Sequence, residues 1–164
     1  MGRRIVTGVS QLKRIAELMF LGQFYHNLDN KGRLTIPTNF RDLLSTNGAY
    51  ISQGFEQNLL VLPSPLFEGV SRRINQMSMT DPNTRLLRRL FFSTAKFVEV
   101  DKAGRILIPQ FLQQSAYLES EVVVVGNGTY FEIWSPEYWS SQTEQIQDTQ
   151  TNAHRFAELD LTSE

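Results

Sequence analysis

Lys31 and Arg33 stand on either side of Gly32, and in a second motif, which sets Arg105 seventy-two positions after Arg33, Lys102 and Arg105 stand on either side of Ala103 and Gly104. Such groups do binding chemistry. Lysine brings a point charge suited to phosphate, arginine a planar fork that clamps phosphate or pairs with guanine, and glycine lets backbone approach closely. An aspartate leads each cluster, in Asp29-Asn-Lys-Gly-Arg33 and Asp101-Lys-Ala-Gly-Arg105. A carboxylate cannot favour a phosphate. Asp29 and Asp101 are therefore expected to lock a turn by accepting amides two residues on, or to hold Arg33 and Arg105 by salt bridges. Gly32 and Gly104 supply the backbone conformation that this turn needs. Each arginine has two compatible readings, a staple for its own hairpin and a contact to DNA. Arg41, just after the first motif, is a further candidate for a phosphate contact.

The elements that position these groups are duplicated. Beyond the motif, Tyr25 aligns with Phe97, Leu28 with Val100, Gly54 with Gly126, Leu59 with Phe131 and Val61 with Ile133. Register kept without a gap implies two copies of one structural unit. Each copy opens with a short alternating strand (22–28 and 95–100), turns at the Asp-Gly motif, and leaves on a strand ended by Pro37 or Pro109. A short helix follows, over 38–44 with Thr38 or Asn39 as N-cap, and over 110–118. Two strands then form a hairpin, 49–53 with 58–62 and 121–125 with 129–134. Ser135-Pro136 opens a last helix, to about 147, and Pro63-Ser-Pro65 plays the same part ahead of 66–79. Between the copies, Asp81-Pro82 caps a helix to about 93. Its Arg85, Arg88 and Arg89 form either a solvated face or a basic ridge for phosphate or a subunit contact. From Thr149 on, the polar, acidic tail is expected to be a frayed helix or disordered.

Bulk properties exclude several classes. The 164 residues, 41% apolar and 20% charged, suit a folded domain or two small ones sharing a core. Without cysteine there is no disulfide framework or thiolate metal site, and two histidines make a zinc centre improbable. No run approaches the roughly 20 apolar residues that span a bilayer, and no secretory signal is seen. No metal, cofactor or small-molecule substrate is expected. Elbow, P-loop, dinucleotide and zincin motifs are missing, so the chain is read as not an enzyme. The net charge of −1 hides a gradient: residues 1–105 hold 15 of the 16 Lys/Arg, whereas 106–164 hold one against nine acids. That asymmetry leaves room for a polyanion partner.

The run Phe20-Leu-Gly-Gln-Phe, then Leu28-Asp-Asn-Lys-Gly-Arg-Leu-Thr-Ile-Pro37 and Phe40-Arg41, echoed at Val100-Asp-Lys-Ala-Gly-Arg-Ile-Leu-Ile-Pro109, closely resembles the bacterial MraZ family. The resemblance runs from about Met19 to Ser141. It implies an α+β, mainly β fold: tandem duplicated SpoVT-AbrB halves of a swapped-hairpin β-barrel, with flanking short helices. The division expected is an N-terminal extension over 1–18, repeat 1 over 22–65, a helical linker over 66–93, repeat 2 over 94–137, and a C-terminal helix and acidic tail over 138–164. Because the family usually begins at Met-Phe-x-Gly, residues 1–18 are read either as the product of an upstream start codon or as an extension near the DNA face or the ring's subunit contact.

The resemblance further implies a cytoplasmic, nucleoid-associated, ring-shaped homo-oligomer with no membrane partner. It would bind double-stranded DNA at direct repeats upstream of the division and cell-wall gene cluster and repress its own operon. Lys31, Arg33, Lys102, Arg105 and Arg41 would carry the DNA contact. Two other readings stand beside this one, an AbrB-type antitoxin and a protein-interaction scaffold that binds no DNA. Tandem modules argue against the antitoxin, which is normally a single-module chain.

Overall fold

Leu34 and Ile106 hold equivalent places in the two copies, and they face each other. Strands β2 (Arg33–Thr35) and β6 (Arg105–Leu107) pair antiparallel, with Arg33 opposite Leu107, Leu34 opposite Ile106 and Thr35 opposite Arg105. Residues meeting their own equivalents define a local two-fold, centred here on Leu34 and Ile106. The structure is a computed structural model and describes residues 18–161, so all but Leu18 of the expected N-terminal extension lies outside the described residues.

The same two-fold organises the main sheet. Strands β3 (Ala49–Gln53) and β4 (Leu59–Pro63) form one hairpin, and β7 (Glu121–Gly126) and β8 (Phe131–Trp134) the other. The hairpins join through β4 and β8, where Leu60 faces its equivalent Glu132. Strand β1 (Gln23–Asn27) pairs with β7, and β5 (Lys96–Val98) with β3. The order is thus β1-β7-β8-β4-β3-β5, antiparallel throughout. Each copy lends its first strand to the hairpin of the other. Among the described residues no closed barrel is found: the sheet ends at β1 and β5, and β2 with β6 is a separate ribbon. Pro37 and Pro109 follow the ribbon strands closely and cannot donate to a ladder, which keeps the ribbon to three residues a side.

Between sheet and ribbon lies the main core. Leu34, Ile36, Ile106 and Ile108 from the ribbon side meet Leu59, Val61, Phe131, Ile133, Val122 and Val124 from the sheet. Helices α1 (Thr38–Ser45) and α4 (Gln110–Ser115) add Phe40, Leu44 and Leu112. Each such side chain contributes about 1.5–3 kcal/mol on full burial, so the ribbon is tied down chiefly by apolar packing. Phe20, Phe40 and Phe131 cluster within this core in edge-on and tilted contacts, with centroids 5.0–5.4 Å apart. On the opposite surface of the sheet, Leu60 and Leu62 pack under α2 (Ser64–Asn75) and α3 (Pro82–Thr94). Val123, Val125 and Trp134 pack under Trp139 of α5 (Pro136–Gln147).

Some boundaries differ from the sequence reading. Pro37, not Thr38 or Asn39, occupies the cap position of α1, and no side chain caps it. Helix α4 stops at Ser115 because Tyr117 adopts φ +55° and Leu118 donates its N–H back to the Gln113 carbonyl at 2.9 Å. Helix α2 starts at Ser64 and ends at Asn75, short of 79. The tail forms an ordered helix, α6 (Thr149–Phe156). Asp148 caps it by accepting the Thr151 N–H, and the buried Asn152 amide donates to the Gln145 and Ile146 carbonyls, both at 2.9 Å.

Phe20 and Gly128 exchange backbone hydrogen bonds of 2.7 and 2.9 Å, which draws residues 20–21 across Gly126. A Cβ on Gly126 would lie 2.5 Å from the Phe20 carbonyl and the Leu21 nitrogen. Gly126→Ala is therefore expected to destabilise the protein by about 1–3 kcal/mol, as over-packing does. Gly69→Ala, in α2 with only Arg72 within 4 Å of the added carbon, should instead stabilise by about 0.5–1 kcal/mol. Urea unfolding midpoints of the two variants, moving in opposite directions from the wild type, are the check.

Candidate nucleic-acid interface

One carboxylate ties each hairpin turn. Asp29 Oδ1 accepts the N–H groups of Lys31 at 3.0 Å and Arg33 at 2.8 Å, and its Oδ2 accepts Arg33 Nε at 2.7 Å. Gly32 completes the loop with its N–H on the Asp29 carbonyl, at φ +79°. Asp101 repeats the arrangement with the N–H groups of Ala103 and Arg105, both at 2.9 Å, and with Arg105 Nε at 3.1 Å. The Arg33 amide most strongly holds the Asp29 carboxyl below the usual carboxylate range, and the Arg105 amide does so for Asp101; in both, partial burial opposes the shift.

The two turns also lock each other. Ile36 donates its N–H to the Gly104 carbonyl, and Ile108 to the Gly32 carbonyl, both at 2.8 Å. Arg41 anchors Nε on the Ile36 carbonyl at 2.9 Å, and its guanidinium covers Gly104, Nε lying 2.5 Å from where a Cβ would stand. Gln113, the equivalent of Arg41, donates Nε2 to the Ile108 carbonyl at 2.8 Å and covers Gly32 in the same way. The glycines are required by their backbone conformation, and the far end of a side chain from the opposite copy lies over each of them. The sequence reading left out Gln113; the only signal for it is its offset of seventy-two from Arg41.

Leu34 and Ile106 point into the core, so Arg33, Thr35, Arg105 and Leu107 share the outer face of the ribbon. Arg33 and Arg105, each about one-third exposed, converge there: Arg105 Nη1 lies 3.9 Å from Asp29 Oδ2, the carboxylate that Arg33 already holds. Two arginines and two aspartates nearly cancel in charge. The excess is left to Lys31 and Lys102, both exposed, one in each turn. Among the described residues the Nη nitrogens of Arg33 donate no hydrogen bond, so its fork is oriented through Nε and keeps donors for a ligand, whereas Arg105 also brings Nη1 to 3.9 Å from Asp29. Arg41 is half-buried and lies against the turn instead of on the outer face. Burial, reinforced by the charge of Arg41, lowers the pKa of His26 on β1, so it adds no cation here at neutral pH.

Oriented guanidinium forks flanked by ammonium groups suit a phosphate backbone or the edge of a guanine. Among the described residues no group of three or more His, Cys, Asp or Glu is placed to hold a metal, and no helix is long and apolar enough to cross a membrane.

Comparison with known proteins agrees with the duplication. The family model described as "MraZ protein, putative antitoxin-like" matches twice, over residues 19–90 and 91–160. The chain is 42% identical over 130 residues to the Transcriptional regulator MraZ of Herpetosiphon aurantiacus, covering 79% of this chain and 90% of that protein. It is 46% identical over 121 residues to the protein of that name in Dictyoglomus thermophilum, covering 74% and 82%. Over 144 residues it is 38% identical to that of Leuconostoc mesenteroides, covering 87% and 100%.

A depressed folded-state pKa means that Asp29 and Asp101 stabilise the fold above the ordinary carboxylate range and lose that effect as pH falls through their lowered values. Asp29→Asn/Asp101→Asn should be less stable than wild type near pH 7, and the gap should narrow as pH falls below the ordinary carboxylate range. Thermal midpoints across that interval test the sign, and a gap that widens in acid would rule the linkage out.

Proposed function

The chain belongs to the MraZ family, and on that premise we propose that it is a sequence-specific DNA-binding transcriptional regulator that contacts promoter DNA through its paired Asp-Gly-Arg hairpins. The observation that supports this is the convergence of Arg33 and Arg105 on one exposed ribbon face, with Lys31 and Lys102 in the flanking turns. The aspartates fix the arginines before any ligand arrives, so little side-chain entropy is lost on binding. The lysines supply the net positive charge that draws in a polyanion.

Under this reading the two copies are interlocked SpoVT-AbrB modules of the swapped-hairpin kind, an assignment that the exchange of β1 and β5 supports. The protein works as a ring-shaped homo-oligomer on the nucleoid. A ring presents the same ribbon at regular intervals, which matches direct repeats in DNA and multiplies a modest single-site affinity. Its target is the promoter upstream of the division and cell-wall gene cluster, where it represses its own operon.

A gel shift with the DNA upstream of its own gene is the test. Lys31→Ala/Lys102→Ala leaves every turn hydrogen bond in place, because only the Lys31 backbone is used. It should weaken binding and lower the slope of log affinity against log salt by about one per lost phosphate contact. Arg33→Ala/Arg105→Ala should weaken the shift by about tenfold or more per arginine. Unchanged affinity and slope in both double variants would remove the hairpins from the DNA contact.

A further inference from the structure

The outer face of the ribbon is two-fold in its arginines but not in its other two side chains. An offset of seventy-two relates Arg33 to Arg105 and Thr35 to Leu107, so equivalent places hold a hydroxyl in one copy and an isobutyl group in the other. The register sets Leu107 beside Arg33 and Thr35 beside Arg105, at the roughly 4.5–5.5 Å that separates the Cβ atoms of facing residues. Each guanidinium therefore has a different neighbour. Leu107 is 58% exposed, between Ile106 and Ile108 at 1% each, and lies outside the apolar clusters of the described residues. A single exposed leucine is ordinary. This one serves neither the core nor the turns, and it stands beside an oriented guanidinium on an otherwise polar face. The half-buried Thr35 hydroxyl likewise has no hydrogen-bond partner among the described residues.

We infer that Leu107 and Thr35 give the ribbon a direction on DNA, Leu107 by packing on a thymine methyl beside the guanine held by Arg33. The major groove admits a two-stranded ribbon, and there thymine alone of the four bases shows a methyl group. Leucine has no donor or acceptor, so a polar base edge beneath it loses its water and gains no partner. Thr35 can donate or accept, and the row it shares with Arg105 is correspondingly tolerant. The two rows lie about 7 Å apart along the strands, which spans about two base-pair steps of roughly 3.4 Å. With the same residue in both rows the ribbon would read a palindrome. With Leu107 in one row only it reads an asymmetric sequence, as copies lying the same way round on direct repeats require. This rests on the proposed DNA contact and adds to it a base specificity that phosphate binding lacks.

Uracil interference tests it with the full-length protein. DNA upstream of its own gene, carrying occasional uracil in place of thymine, is bound, and the free and bound fractions are separated by gel shift. Uracil lacks only the methyl, so base pairing and phosphate charge are unchanged. At the thymine read by Leu107, uracil should be depleted from the bound fraction on the order of fourfold, the worth of one buried methyl. Leu107→Ser should remove that depletion and Leu107→Met should keep it. The exchange Thr35→Leu/Leu107→Thr should move it to the other flank of the footprint. None of the three should alter the salt slope. A wild type indifferent to uracil, depletion that survives Leu107→Ser or is lost in Leu107→Met, or a changed salt slope would overturn the assignment. So would an exchange variant whose depletion stays in place or vanishes. The arginine and lysine variants are judged separately. If they bind as the wild type does, the hairpin contact itself falls; if they bind weakly while the uracil pattern ignores Leu107, only the direction falls.

Discussion

The pairing of Arg33–Thr35 with Arg105–Leu107 is the constraint from which the remaining geometry descends. It puts Leu34 against Ile106, and through them seats the ribbon on the main core. It also decides that Gly32 and Gly104 accept backbone bonds from the opposite copy, and that Arg41 and Gln113 reach across to cover them. With the dyad fixed at the ribbon, the sheet follows the same symmetry, from the Leu60–Glu132 pair outward to β1 and β5. One three-residue strand pair therefore orients two turns, four charged side chains and both edges of the sheet.

Local chemistry was the readable part. Asp, Gly and Arg at fixed spacing announce a turn because few other residues satisfy those amides and that backbone angle, and alternation announces a strand because one face is buried. Ser135 and Asp81 cap their helices by rules that operate within four residues. Partner choice was not readable. The pattern of Gln23–Asn27 says that one side is buried but is silent on whether β3 or β7 completes it. Gln113 escaped notice because it shares with Arg41 a position and a donor, not a residue type. Whether the tail frays or holds as α6 depends on Asn152 bridging to carbonyls of the preceding helix, a contact invisible to composition. Tyr117 ends α4 in a conformation that sequence rules reserve for glycine, so the helix was read as longer.

Symmetry of the backbone and asymmetry of charge divide the molecule by surface. On the ribbon side the copies are near-equivalent, with the same Asp–Arg pairing in each turn. On the helix side the equivalence is abandoned. Leu60 answers to the half-buried Glu132, whose carboxyl burial pushes up while the Asn58 amide donates to it at 2.9 Å. The arginines of α2–α3 answer to the carboxylates of α5–α6. A duplicated chain is free to keep one surface symmetric while the other diverges, because the sheet between them is held by apolar residues that either charge pattern can accompany.

The exchange of opening strands also bears on how the protein is made. Strand β1 ends at Asn27, but its partner β7 begins only at Glu121. During synthesis the first copy must leave the ribosome with its leading strand unpaired and its β3 edge open, until most of the chain has followed. Such long-range closures fold slowly and expose pairing edges meanwhile. Lys96 places a charge on the short β5 strand, which makes that waiting edge a poorer template for a stray neighbour.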